Sequence, residues 1–154
     1  MKRELTLADV VGYTPYNLAC RTPEGRIAIL RGMKTFSATY TPALGKPVLR
    51  PMSDLYREIT ERDYNNGKPF VPIFELAKIK YPEFTRFSAI GLGANEVFVS
   101  SSDSPITGWY EYDNENLSIG EFDLLHRLHF DYRGLIDDGL AINVHDLPAN
   151  PYEL

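Results

Sequence analysis

Eleven prolines punctuate the 154 residues, at positions 15, 23, 42, 47, 51, 69, 72, 82, 105, 148 and 151. Proline lacks an amide donor and fixes φ, so it ends helices and keeps strands short or at edges. Eleven glycines add further turn points. A chain broken this often is expected to fold as short elements joined by well-defined turns.

The elements between the breaks follow from local signals. "LTLADVVGYTP" predicts a short helix, with Thr6 as N-cap and Asp9 completing a capping box. "YNLACRTPEGRIAILRG" predicts a β-hairpin turning at "TPEG", where Pro23 sets one turn position and Gly25 takes positive φ. "MKTFSATYTPALGKPVLRP" reads as irregular or edge strand. "SDLYREITE" predicts a helix capped by Ser53, with Leu55, Tyr56 and Ile59 inward. Asn66-Gly67 is the strongest hairpin signal of the chain. "PIFELAKIKYP" predicts a helix from Pro72, with Ile73, Leu76, Ala77 and the stem of Lys80 on one stripe. Two strands flank "GLGAN", a further strand runs through "ITGWYEYDNENL", and "LAINV" is a last strand.

The longest predicted helix is "SIGEFDLLHRLHFDYRG", opened by a Ser118–Glu121 capping box and closed at Gly134. On a helical wheel Leu124, Leu125, Leu128 and Tyr132 share an arc of about 100°, widened by Phe122. His129 falls at the margin of that arc and His126 just outside it. Phe130 lands among Asp123, Arg127 and Asp131, against the pattern.

This order is no clean βαβ alternation. It predicts an α+β fold, a mainly antiparallel sheet with three to four helices, in a single domain over residues 1–147. Residues 148–154 are expected to form an extended or loosely held tail. A chain of this length buries enough surface to fold without disulfide or metal.

The formal net charge is −5 and the pI about 5.2. Phosphate neutralisation needs clustered cations, so nucleic acid is not the expected partner. Met33-Lys34 with Arg26 and Arg31 is the one hint of a basic patch, and it reads more simply as a solvated strand face. The single cysteine, Cys20, sits in the apolar "NLAC" as a small buried hydrophobe. No apolar run approaches 18 residues and "MKREL" is not followed by a signal-peptide core. The expected location is the cytoplasm.

Three groups of residues invite chemistry. His126 and His129 lie three apart on one flank of the predicted helix and could offer two nitrogens to Zn²⁺ or a similar ion, with His145, Asp146 or Glu121 as a third ligand. The spacing is not H-E-x-x-H. The competing reading makes His129 a packed residue at the core margin and leaves His126 to solvent. "GLGAN" lacks the rest of a phosphate-binding motif, and "SSSDS" lacks a nucleophile elbow. On a strand, Trp109 and Glu111 face one way while Tyr110 and Tyr112 face the other. One face is core; the other offers aromatics for a protein or sugar contact, to which Tyr40, Tyr56 and Tyr64 could add. "PANP" has P-x-x-P spacing, but two prolines in an acidic tail read more simply as extended chain.

"GKPVLRPMSDLYREI", "GKPFVPIFELAKI" and "FDLLHRLHFDYRGLIDDGLAINVHDL" resemble segments of small proteins encoded by phages and prophages of gut anaerobic bacteria. The shared layout is an "LTL…YxPY" opening at Leu5 to Tyr16, a "KPxLRPxSDL" centre at Lys46 to Leu55, and an "HFDxxGLIxxGLAI" close at His129 to Ile142. It covers most of the chain outside residues 84–118. The resemblance implies a mobile-element protein made in a bacterial cytoplasm and brings no chemistry with it. The motifs also read as caps, turns and strand ends. The expectation is a non-enzymatic accessory protein that binds another macromolecule, a protein before a nucleic acid, through Trp109, Tyr110 and Tyr112, without a cofactor. The alternative is a small metal-dependent hydrolase built on His126, His129 and His145 or Asp131.

Overall fold

The computed structural model describes residues 4–30, 45–89, 96–102 and 104–153. The segment at Met33-Lys34, Tyr40, the "GLGAN" loop and Asp103 lie outside the described residues. In chain order the elements are α1 (Leu7–Val10), β1 (Leu18–Arg21), β2 (Ile27–Leu30), β3 (Lys46–Leu49), α2 (Pro72–Lys80), β4 (Arg86–Ala89), β5 (Glu96–Ser101), β6 (Ser104–Glu111), α3 (Ile119–Arg127) and β7 (Ile142–Asn143). The fold is α+β. The chain divides into two compact units, residues 1–52 with 125–154, and residues 53–124.

The first unit is built on a four-stranded sheet of order β2-β1-β3-β7. Its first two pairings are antiparallel, and only the short β3–β7 pairing is parallel. The "TPEG" hairpin forms as its sequence requires: Gly25 takes φ +86° and its amide donates to Thr22 O at 2.9 Å. At α1 the Asp9 carboxylate accepts from the Thr6 amide at 2.9 Å, and Arg133 reaches the same buried carboxylate at 3.3 Å. Val10, Tyr13, Leu18, Cys20, Leu49, Leu135 and Ala141 form the core of this unit.

The histidine-bearing helix is shorter than its periodicity predicts. Helix α3 ends at Arg127. His129 takes φ +61°. Its amide donates to His126 O at 3.1 Å, and the Phe130 amide reaches back to Leu125 O at 2.9 Å. These two bonds are the Schellman pattern that caps a helix through a left-handed residue, here histidine in the place glycine usually takes. The stop explains Phe130. It is thrown off the helix, forms a parallel bridge with Arg50, and is completely buried. Gly134 is left-handed as expected, at φ +75°, but in the next turn rather than at the helix end. Leu124, Leu125 and Leu128 are buried and Tyr132 is half-buried.

The C-terminal tail is not loosely held. Tyr152 is buried, its hydroxyl donates to Val48 O at 2.6 Å, and the same oxygen accepts the Ala19 amide at 3.0 Å. Asn150 turns the chain locally by accepting the Tyr152 amide at 2.9 Å. An aromatic ring that can cap two strands outweighs the extended preference of the neighbouring prolines.

The second unit holds an antiparallel sheet of order β4-β5-β6. Helix α2 starts at Pro72 and buries Ile73, Leu76 and Ala77. It packs on one face of this sheet, over Val97, Val99 and Tyr110; Lys80 is exposed. The "SDLYREITE" helix reduces to a 3-10 turn at Met52–Tyr56, because Ile59 leaves it to exchange both backbone hydrogen bonds with Phe70. Leu55 and Ile59 are buried as expected, whereas Tyr56 is exposed. The Asn66-Gly67 hairpin becomes a tight reversal in which Asn65, Asn66 and Gly67 are all left-handed, flanked by single bridges instead of a ladder. The Ser118–Glu121 capping box forms in both directions, at 3.1 and 3.2 Å.

Candidate functional site

Strand alternation sorts the residues of the second sheet into two faces. The register pairs Val97 with Tyr110 and Val99 with Gly108, and this is the face that α2 covers. The other face carries three rows. Glu96 pairs with Glu111, Phe98 with Trp109, and Ser100 with Thr107. On β4, Ser88 continues the middle row and Arg86 the last one. Trp109 is 50% exposed, and its ring lies edge-on to half-buried Phe98 with centroids 5.3 Å apart. The half-exposed tryptophan beside a phenylalanine makes an aromatic surface in the middle row of this face.

The other two aromatics expected at this surface are placed differently. Tyr110 is fully buried and its hydroxyl donates to Glu121 at 2.6 Å. Burial first, and then that bond to a carboxylate, push its pKa upward. It is a core residue and cannot meet a partner. Tyr112 is half-buried and donates to Asn114 Oδ1 at 2.8 Å. Tyr64 donates to Glu75 at 2.8 Å and packs on Phe70. Tyr56 is exposed, and partial burial, then the charge of Glu111, push its pKa upward. Strand alternation separates Trp109 from Tyr110, but only the position of α2 decides which of them is covered.

The three histidines occupy three different surroundings, all in the first unit. His126 is half-buried, edge-on to Tyr13 and Tyr132, and shares a 2.6 Å hydrogen bond with the Tyr132 hydroxyl. His129 is buried; its Nε2–H donates to Tyr16 O at 2.6 Å and its ring stacks on Tyr152. His145 is exposed in the 3-10 turn Val144–Asp146. The helix stop at His129 takes the two rings out of the shared flank that an unbroken helix would give them. Among the described residues no three His, Cys, Asp or Glu side chains gather as a metal-binding group.

Around His129 the three motif segments converge, which sequence reasoning did not foresee. Arg50 is fully buried; its Nε donates to Leu128 O at 3.0 Å, and its backbone brackets His129 and Asp131 through bonds of 2.7 and 2.9 Å. Glu153 lies 3.9 Å from its guanidinium and the Tyr152 ring 5.8 Å from Cζ. Tyr13 donates to Phe130 O. Asp131 accepts the amides of Leu135 and Ile136, both at 2.8 Å. Arg50 Nε, His129 Nε2, Tyr13, Tyr152 and Asp131 are each directed at backbone of the same unit, so the cluster ties chain segments together. A separate hollow of about 730 Å³ in this unit is edged by Glu4, Arg21, Thr22 and Lys46, and its described lining includes no His, Cys or Ser.

Searched against protein-family models, curated proteins and solved structures, the chain matches none. Among the described residues no helix is long and apolar enough to cross a membrane.

Proposed function

We propose that this protein is a non-enzymatic binding protein that docks a macromolecular partner, a protein, on the outward face of the β4-β5-β6 sheet. The observation that carries the reading is Trp109, half-exposed against Phe98 on the face opposite α2. Tryptophan is enriched among the residues that dominate binding energy, and a partly exposed aromatic pair on a sheet loses little side-chain freedom when covered. The buried polar cluster around Arg50 and His129, by contrast, joins segments of the fold. The motif resemblance supplies the setting, an accessory protein of a phage or prophage acting in a bacterial cytoplasm.

The test compares immobilised wild-type protein with a Trp109→Ser variant whose circular dichroism is unchanged. Both are exposed to lysates of gut anaerobic bacteria, with and without prophage induction. A protein retained by the wild type and lost with the variant is the expected result. Equal retention by both rejects the reading.

A further inference from the structure

The acidic row next to Trp109 is out of keeping with ordinary sheet design. Glu96 and Glu111 are directly paired across β5 and β6, and both are exposed. Like charges directly opposite on neighbouring strands repel and destabilise a sheet. Among the described residues neither carboxylate is paired with a cation. One row away stands Trp109 with Phe98, and beyond it, at the far end of the face, Arg86. Among the described residues the face is therefore graded: two carboxylates at one end, an aromatic pair in the middle and Arg86 at the other.

Resting on the reading above, we infer that the occupant of this face is a cationic segment of a protein, with an arginine or lysine seated over Trp109 and its charged head between Glu96 and Glu111. The chemistry fits at each row. A long basic side chain lays its methylenes on an aromatic surface while its head stays polar. The ring face of tryptophan attracts the cation itself. A guanidinium or ammonium shared by the two carboxylates relieves their repulsion, so binding removes a cost that the free sheet carries. Arg86 at the opposite end disfavours a uniformly basic stretch and sets the direction of the segment. Electrostatic complementarity of this kind speeds encounter and fixes register. The chain's net charge of −5 acts in the same sense at long range.

Trp109 is the only tryptophan, so its fluorescence reports this face alone. The probes are hexa-arginine, hexa-glutamate and a glycine–serine hexapeptide, titrated at low and moderate salt. Only hexa-arginine is expected to give a saturable change, weakening as salt rises. The double variant Glu96→Gln/Glu111→Gln should bind it at least ten-fold more weakly. The double variant Glu24→Gln/Asp146→Asn, with the same net charge but both substitutions in the other unit, should bind as the wild type does. Equal weakening in both double variants, or no saturable change with hexa-arginine, overturns the inference. So does a concentration-dependent dimer that Trp109→Ser abolishes, because the occupant would then be a second copy. Lysate capture separates this failure from that of the broader reading. Capture lost with Trp109→Ser but kept with Glu96→Gln/Glu111→Gln removes only the cationic assignment, whereas capture unchanged by Trp109→Ser removes both.

Discussion

His129 and Tyr152 stack face to face, ring centroids 3.6 Å apart and planes within 6°. The contact joins the helix stop to the last turn of the chain. It also lets one tyrosine serve three segments, because the same residue accepts the Ala19 amide from β1 and donates to Val48 O on β3.

Removing that tyrosine should be costly. Tyr152→Phe keeps the stack but strands a buried amide and a buried carbonyl, at about 1–3 kcal/mol. Tyr152→Ala also loses the ring and should cost about 3–5 kcal/mol. Urea denaturation of the two variants measures both. A tail that contributes nothing would leave the midpoint of Tyr152→Ala at the wild-type value.

The left-handed backbone of His129 makes an ordering testable. Histidine pays about 1 kcal/mol or more for this conformation, and glycine pays almost nothing. Both His129→Gly and His129→Ala lose the stack and the bond to Tyr16 O. The alanine variant also keeps the backbone strain, so it should be the less stable of the two by roughly 1 kcal/mol. Equal stability of the two variants would mean that the left-handed backbone at this position carries no conformational penalty.

These two residues mark where the sequence ceases to be legible. Signals confined to a few neighbouring residues are met in the structure: the Thr6–Asp9 and Ser118–Glu121 caps, the turn at Gly25 and the start of α2 at Pro72. Each is decided by hydrogen bonds or backbone restriction within about four residues. The helix stop is a different matter. Its 3.6-residue pattern continues through Tyr132, and histidine is a weak left-handed signal beside Gly134. What ends the helix is Arg50, far away in sequence, which pairs with Phe130. Tyr152 is equally remote from its partners on β1 and β3. At the candidate site, alternation showed that Trp109 and Tyr110 point apart, yet only the placement of α2 decided which of them is covered.

Gly12 tests the seat of the other imidazole. A Cβ at this position would meet the His126 ring at 2.3–2.6 Å, and that ring is held edge-on by Tyr13 and tied to Tyr132. Gly12→Ala should therefore cost about 1–3 kcal/mol, as overpacking does. His126→Ala in the same chain removes the clash, so the double variant should lose less than the sum of the single ones. Strict additivity in that cycle would contradict the contact.

Asp131 gives the fold a pH dependence of known sign. Burial raises its pKa, against the lowering effect of the Ile136 and Leu135 amides that it accepts. A folded value above the unfolded one means that the native state holds this proton across the window between them. The contribution of Asp131 is then fully present below the unfolded value, about 3.9, and declines as pH rises through the raised folded value. Asp131→Asn cannot titrate, so the stability of the wild type relative to it should fall as pH rises across that window. Denaturation of both proteins from pH 3.5 to 7 reads this, and a relative stability rising with pH would reverse the assignment.

Trp109 and Tyr110 are neighbours in sequence and should behave as opposites. Tyr110→Phe leaves the buried Glu121 carboxylate, at 2% exposure, without its 2.6 Å donor. A buried polar group deprived of a hydrogen-bond partner costs about 1–3 kcal/mol. Trp109 lies on the face that α2 does not cover, and Trp109→Ser should cost no more than about 1 kcal/mol, chiefly the edge-on contact with Phe98. The stability ranking is thus wild type, then Trp109→Ser, then Tyr110→Phe, while partner capture is expected to be lost only with Trp109→Ser. Thermal unfolding and capture measured on the same three proteins settle the point. A serine variant as unstable as the phenylalanine one would mean that Trp109 is part of the core and that the outward face of the sheet is not a docking surface.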